Sequence, residues 1–168
     1  MIKHDIVLHL GSNQGDRISF LQTGVHLIEE QVGEILTCSS VYETEAWGMR
    51  DQPAFFNIAL KMISALSPFD VLTACQAIET EIGKNKTIHW GPRNIDIDVL
   101  YINDLVVDTK RLSLPHPHLH IRNFVLYTLS EVDNERIHPI FGRSNQDLLN
   151  QSPDNLVVEK VKKTITFG

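Results

Sequence analysis

Short blocks of apolar residues alternate with polar turns along the chain and predict four strands and two long helices. The run from Ile6 to Leu10 predicts a buried strand that ends at a Gly-Ser-Asn turn. After this turn, Asp16 can cap a helix that continues to about Gln31. Two segments rich in β-branched and apolar residues, EILTCSSVYETE (34–45) and AFFNIALKMISA (54–65), predict the second and third strands.

The second half of the chain completes a recognisable order of elements. The segment SPFDVLTACQAIETEIGK (67–84) has a serine cap, an early proline, apolar residues at helical spacing and a late glycine, which predict a helix. HWGPRNIDIDVL (89–100) contains the fourth strand. We then expect a hairpin around Asn103 and Asp104, a loop over 114–123 and a short helix over 124–132. The order β-α-β-β-α-β predicts a ferredoxin-like α/β (α+β) sandwich with a C-terminal hairpin and helix extension.

Size and charge narrow the kind of protein. The 168 residues, of which 42% are hydrophobic, suit a single domain over 1–168, and we expect a monomer. A net charge of -6 argues against nucleic acid or an anionic membrane as the main partner. No export signal or membrane span is evident, so a cytoplasmic location is expected. Cys38 and Cys75 lie in apolar segments and are expected to be reduced core residues.

The most unusual pattern is a pair of carboxylates inside an apolar run. Asp96 and Asp98 would project from one face of a strand, about 7 Å apart, and would repel each other. Such a pair needs water, basic side chains or a divalent metal as its partner. Arg93 and the basic loop KNKTIHWGPR (84–93) supply cations nearby, which favours a nucleotide site over a solvated strand face.

Two further segments carry candidate chemistry. LPHPHLHIRNF (114–124) holds His116, His118 and His120, but no fourth zinc ligand is evident, so a phosphate-binding loop is favoured over structural zinc. Phe124 at the end of this segment either stacks on a planar ligand or packs in the core. Asn57, inside an apolar strand, either bonds its neighbouring backbone or reads the edge of a heterocycle.

Taken together, these motifs resemble the 6-hydroxymethyl-7,8-dihydropterin pyrophosphokinase family of folate synthesis. The signature Gly-Pro-Arg-x-x-Asp-x-Asp-x-Leu occupies 91–100, and the accompanying blocks LGSN (10–13), DQPAFFN (51–57), QAIE (76–79) and RLSLPHPHLHIRNF (111–124) occur in family order. The resemblance implies transfer of pyrophosphate from ATP, the co-substrate, to the pterin hydroxymethyl group, with release of AMP. The implied partners are these small molecules, together with two Mg²⁺ ions.

The resemblance also assigns roles to residues. Those implied to be catalytic are Asp96, Asp98, Arg93, His116 and Arg122, of which Asp96 and Asp98 would bind the metal. Those implied to contact ATP are Gln76, Glu79, Lys84, Lys86, Trp90, Arg93, Val99, Arg111, Ser113, His116 and Arg122. Those implied to contact the pterin are Gly11, Thr44, Glu45, Trp47, Phe55, Asn57, Asp96 and Phe124. Loops over 11–16, 46–52 and 84–90 would close over both substrates and exclude water.

The chain departs from the family pattern at several positions. Lys84, Lys86 and His89 stand where many members carry arginine, and a lysine lacks the bidentate fork. Phe55 is often tyrosine in the family, so stacking is kept and a hydroxyl contact is not. Trp47 stands where a smaller residue is common.

Two other functions fit parts of the pattern. A nucleotidyltransferase places Gly-Ser about a dozen residues before its Asp-x-Asp, whereas Gly11 and Ser12 here lie far from Asp96. A ferredoxin-like regulatory module would bind a nucleotide without chemistry, which leaves both signature carboxylates unexplained.

Overall fold

The computed structural model describes residues 2–46, 48, 51–83 and 94–168. Its elements, in chain order, are β1 (His4–Ser12), α1 (Arg17–Gln31), β2 (Glu34–Cys38), β3 (Tyr42–Thr44), β4 (Phe55–Ser64), α2 (Pro68–Ile82), β5 (Asp96–Ile102), β6 (Val107–Asp108), β7 (Ser113–Leu114), α3 (Asn123–Asp133), α4 (Asn145–Asn150) and β8 (Val158–Lys160). A short 3-10 helix, Leu119–Ile121, precedes α3. Among these residues, no helix is long and apolar enough to cross a membrane.

One antiparallel sheet has the order β5-β1-β4-β3-β8, and β2 also pairs with β4. The predicted ferredoxin-like arrangement is confirmed. The predicted second strand, however, is divided into β2 and β3, which pair with different parts of β4. The break lies at Ser39, whose hydroxyl accepts the Ala59 N–H at 2.9 Å and so replaces a backbone acceptor.

The predicted hairpin around Asn103 and Asp104 is wrong in its pairing. The turn is present, and Asn103 has a φ of +48°. Its side chain accepts the Asp5 N–H at 2.9 Å, so the turn is anchored on β1 and the chain then leaves the sheet. The hairpin forms further along, where β6 pairs with β7.

The helices cover the two faces of the sheet unequally. Helices α1 and α2 cover the face of Ile6, Leu8 and Leu10, and they begin at the predicted caps Asp16 and Ser67. The predicted short helix is α3, which packs its apolar side on the opposite face, against the residues Val7, Ala59, Leu100 and Tyr101. Beyond Val7, towards the end of β1, this second face carries polar residues.

Helix α2 also holds the edge strand β5. The buried carboxylate of Glu79, 4% exposed, accepts the Ile97 N–H at 2.9 Å. Because Ile97 lies between Asp96 and Asp98, this bond fixes the strand where the two carboxylates project.

We expect Glu79→Ala to lower the free energy of unfolding by about 1–3 kcal/mol, because the buried Ile97 N–H loses its acceptor. Glu79→Gln keeps an acceptor oxygen and should lose less. Urea denaturation measures both changes, with the exposed Glu81→Ala on the same helix as the control. Equal losses in the two Glu79 variants would contradict this role of the hydrogen bond.

Candidate active site

The two carboxylates share one face of β5, as predicted, and this is the second face of the sheet, opposite α1 and α2. Asp96 and Asp98 are half-buried, whereas Ile95, Ile97 and Val99 between and around them are buried in the core on the other face. In the register with β1, Asp96 is opposite Gly11 and Asp98 is opposite His9. The pair therefore faces the same side as these two β1 positions.

A buried guanidinium provides positive charge beside the pair. Arg122 is 8% exposed and immediately precedes α3. Burial lowers the pKa of Arg122, and the carboxylates of Asp98 and Asp96 act in the opposite direction. Arg122 also bonds His118, with Nη2 and Nδ1 3.1 Å apart. The structure thus brings together Arg122 and the two aspartates that the sequence separated by more than twenty residues.

His116 is held as a neutral hydrogen-bond donor. Its Nδ1 accepts the His118 N–H at 3.1 Å, so the ring proton resides on Nε2. Burial, with a smaller contribution from Arg122, lowers the pKa of His116 to about 4. At neutral pH this side chain can donate one N–H to an anion but brings no charge.

The three histidines of this loop point to different surroundings. The His120 ring lies 4.6 Å from the Phe141 ring, whereas His118 bonds Arg122. Across the residues that the structure describes, no three His, Cys, Asp or Glu side chains are grouped to hold a metal. The Asp96 and Asp98 carboxylates do fit Mg²⁺ in a nucleotide complex. Such an ion commonly takes one or two carboxylates from the protein and its other ligands from phosphates and water.

Four of the predicted pterin residues, Gly11, Thr44, Phe55 and Asn57, lie next to one another where β1 ends and β4 begins. Asn57 is 1% exposed, and its amide N–H donates to the Tyr42 carbonyl at 3.2 Å. Its amide oxygen faces Gly11, where a Cβ would lie 3.4 Å from that oxygen and 3.2 Å from the Phe55 ring. Glycine at position 11 therefore allows Phe55 and Asn57 to lie close against β1. Thr44 is opposite Phe55 in the register of β3 and β4.

Phe124 faces this group from α3 and packs on a histidine that the sequence analysis missed. The His9 ring is 5.4 Å from the Phe124 ring, and His9 is 3% exposed. Burial, more than any neighbouring charge, lowers the pKa of His9 to about 3, so the ring is neutral. A histidine inside the apolar run DIVLHLGSN was the available signal.

A second missed contact joins two of the predicted substrate loops. The Asn13 amide, which is 1% exposed, donates to Gln52 Oε1 at 2.9 Å and to the Pro53 carbonyl at 3.0 Å. The loop over 11–16 is therefore tied to the segment that leads into β4.

The other predicted ATP residues are dispersed. Arg111 bonds Thr73 on α2 and lies over the Phe69 ring at 5.5 Å. The Val99 side chain is 6% exposed and packs in the core, so only its backbone could contact a ligand. Gln76 is exposed, and Ser113 is half-buried on β7. Glu45, which was predicted to contact the pterin, is also exposed. The predicted residues outside the described ranges are Trp47, Lys84, Lys86, His89, Trp90 and Arg93.

Known proteins resemble this chain in both sequence and fold. A family model described as 7,8-dihydro-6-hydroxymethylpterin-pyrophosphokinase (HPPK) matches residues 7–134. A 2-amino-4-hydroxy-6-hydroxymethyldihydropteridine pyrophosphokinase from Aquifex aeolicus is 43% identical over 138 residues, covering 82% of this chain and 86% of that protein. The Bacillus subtilis protein of the same name is 40% identical over 124 residues, covering 73% of this chain and 74% of its own.

A solved structure agrees on the fold. Wild-type HPPK-DHPS from Plasmodium falciparum with pteroate has a TM-score of 0.73 and 18% identity, covering 89% of this chain. The present chain spans only 42% of the length of that protein, and at this identity the likeness shows the fold alone. The family match over 7–134 and the identities of 40% and 43% over most of each chain rest on sequence instead. The chain belongs to the 7,8-dihydro-6-hydroxymethylpterin-pyrophosphokinase family.

Proposed function

We propose that the protein transfers pyrophosphate from ATP to 6-hydroxymethyl-7,8-dihydropterin, giving AMP and the pterin diphosphate for folate synthesis. The observation that carries the proposal is the half-buried Asp96 and Asp98 pair beside Arg122, in a chain of this family. Neither alternative accounts for this observation together with the family match: relatives are named pyrophosphokinases, and a regulatory module needs no carboxylate pair.

The phosphate half of the site follows from the charges on β5 and its surroundings. Asp96 and Asp98 would hold two Mg²⁺ ions, which neutralise phosphate charge and align the triphosphate when bound. Arg122 would contact phosphate oxygens as a cation, and His116 would donate its Nε2–H to them as a neutral ring. Arg93, Lys84 and Lys86 remain predicted phosphate contacts from the sequence.

The pterin half of the site follows from the aromatic residues at the end of the sheet. Phe55 and Phe124 would stack on the two faces of the pterin, and the Asn57 amide oxygen would accept a hydrogen bond from its edge. The hydroxymethyl oxygen would form a bond to the β-phosphorus while the bond to the α,β-bridging oxygen breaks. AMP then leaves with that oxygen, and the hydroxyl proton is released. Loops joined through Asn13 and Gln52 would keep water from competing as the acceptor.

Three sequence expectations stay predictions: a single domain over 1–168, a monomeric state and a cytoplasmic location. The free thiols of Cys38 and Cys75 support a reducing compartment. Burial raises the pKa of the Cys75 thiol to about 12, which keeps it protonated and inert.

The products identify the reaction. We expect phosphorus NMR of protein, ATP and Mg²⁺ to show AMP and a pterin diphosphate only when the pterin is added. ADP would instead mean transfer of a single phosphoryl group, and free pyrophosphate would mean nucleotidyl transfer. Unchanged ATP with folded protein would favour the regulatory module.

Asp96→Asn and Asp98→Asn should each lower kcat by about 10³-fold or more. Each change removes a carboxylate that would hold Mg²⁺, so charge on the transferring group is no longer neutralised. The dependence on Mg²⁺ concentration should shift to higher values, which metal titration of the initial rate measures. Asp104→Asn, on the exposed turn after the same strand, is the control and should leave both quantities unchanged. Activity retained in both site variants, with the fold intact, would contradict the metal role.

Gly11→Ala should raise the KM for the pterin several-fold while the KM for ATP changes little, because the new methyl group displaces Phe55 and Asn57. Gly24→Ala is a matched control, since its Cβ would meet Ile95 and Leu10 at similar distances of 3.3 and 3.4 Å on the other face. Equal effects of the two variants on both KM values would show that crowding acts only on the fold.

A further inference from the structure

A short C-terminal segment contacts both sides of the proposed pterin pocket. The C-terminal strap, defined here as residues 154–158, lies beyond the residues 7–134 that the family model matches. One end of it bonds the start of α3, and the other end bonds β3. Helix α3 carries Phe124, and β3 pairs with β4 at Phe55.

At the first end, Asp154 caps α3 from a distant part of the chain. Asp154 Oδ2 accepts the Asn123 N–H at 2.8 Å, and its carbonyl accepts the Asn123 side-chain N–H at 3.0 Å. The residue at the N-cap position, Arg122, makes no side-chain capping bond of its own. A carboxylate at this place satisfies a free N–H and favours the positive end of the helix dipole. Phe124 is the next residue of the helix.

The Asp154 carboxylate is itself held in place. Its Oδ1 accepts the Leu156 N–H at 3.0 Å, and Ser152 Oγ accepts the Asp154 N–H at 3.2 Å. Both carboxylate oxygens are therefore used, one to orient the strap and one to hold the helix.

At the second end, the strap joins the sheet beside Phe55. The Val157 carbonyl accepts the Thr44 hydroxyl at 3.2 Å. Val158 then begins β8 and pairs with Thr44, which pairs on its other side with Phe55. Thr44 is 3% exposed, whereas Val157 is 67% exposed, so this hydrogen bond is partly buried from the side of β3.

We propose that the C-terminal strap sets the spacing of Phe55 and Phe124, with Asp154 as its main positioning residue, and so determines affinity for the pterin. The inference rests on the function proposed above. Stacking on both faces of a planar ring is sensitive to spacing, because a gap of about 0.5–1 Å already loses a quarter to a half of the contact energy. Helix α3 already packs on β4 through Ala59, and the strap adds a second connection at the ends of the elements, next to the two rings.

The test is the dissociation constant of 6-hydroxymethyl-7,8-dihydropterin, measured by fluorescence titration with Mg²⁺ and a non-hydrolysable ATP analogue. Asp154→Ala should weaken pterin binding about five- to tenfold, because the start of α3 loses the bond that holds Phe124 at its stacking distance. The dissociation constant of the ATP analogue should change by less than about twofold. Asp154→Asn keeps one acceptor oxygen and should have a smaller effect on the pterin.

The matched control removes an equivalent cap elsewhere. Ser144 Oγ accepts the Asp147 N–H at 3.1 Å at the start of α4, so Ser144→Ala also loses a helix cap. We expect it to lower the melting temperature by an amount similar to Asp154→Ala but to leave pterin affinity unchanged.

The second end of the strap is tested through Thr44→Val, which removes the hydroxyl bonded to Val157 and keeps the side-chain shape. If the strap acts as one element, Thr44→Val and Asp154→Ala should each weaken pterin binding, and the double variant should lose less than the sum. Additive losses would show two independent contacts and would overturn the proposed common role.

The outcomes separate this inference from the proposed function. Wild-type protein that fails to bind the pterin would overturn both. Wild-type protein that binds it, with Asp154→Ala and Asp154→Asn folded and binding equally well, would leave the proposed function standing and overturn the role of the strap. If Asp154→Ala does not fold, Asp154→Asn decides the question in the same way.

Discussion

The arrangement of this protein depends on two like charges held on one face of an edge strand. Asp96 and Asp98 repel each other, so β5 needs both mechanical support and compensating positive charge. Glu79 supplies the support by bonding the Ile97 N–H from the core side. Arg122 supplies charge from the other side, and both carboxylates offset part of the cost of its burial. Support and compensation thus reach the strand from opposite faces of the sheet.

Unequal coverage of the sheet leaves room for this chemistry. Two long helices bury the face of Ile6, Leu8 and Leu10, whereas the apolar side of α3 packs against Val7 and Ala59 on the other face. The strand ends beyond these residues hold the aspartates, Asn57 and Phe55. Burial lowers the pKa of His9 and of His116 on this face, so both rings are neutral. They act through packing and hydrogen bonds.

Parts of the fold followed directly from local chemistry, and other parts did not. The caps at Asp16 and Ser67 and the alternation around Asp96 are local signals, so both helices and the carboxylate face were predicted correctly. The division of the second strand at Ser39 and the displaced hairpin were missed. Each depends on a side chain that bonds a remote strand, Ser39 to Ala59 and Asn103 to Asp5, and no short window of sequence contains both partners.

The sequence by itself determined the β-α-β-β-α-β order of the main elements, the family and the identity of the signature residues, because these are carried by periodicity and by contiguous motifs. Only the tertiary structure decided which of those residues meet. It assigned Glu79 to the Ile97 backbone, placed His9 beneath Phe124 and kept the Val99 side chain in the core. It also connected Asp154 to Asn123, and Val157 to Thr44 across 113 positions. Such contacts arise from the packing of the whole chain, so local patterns carry no information about them.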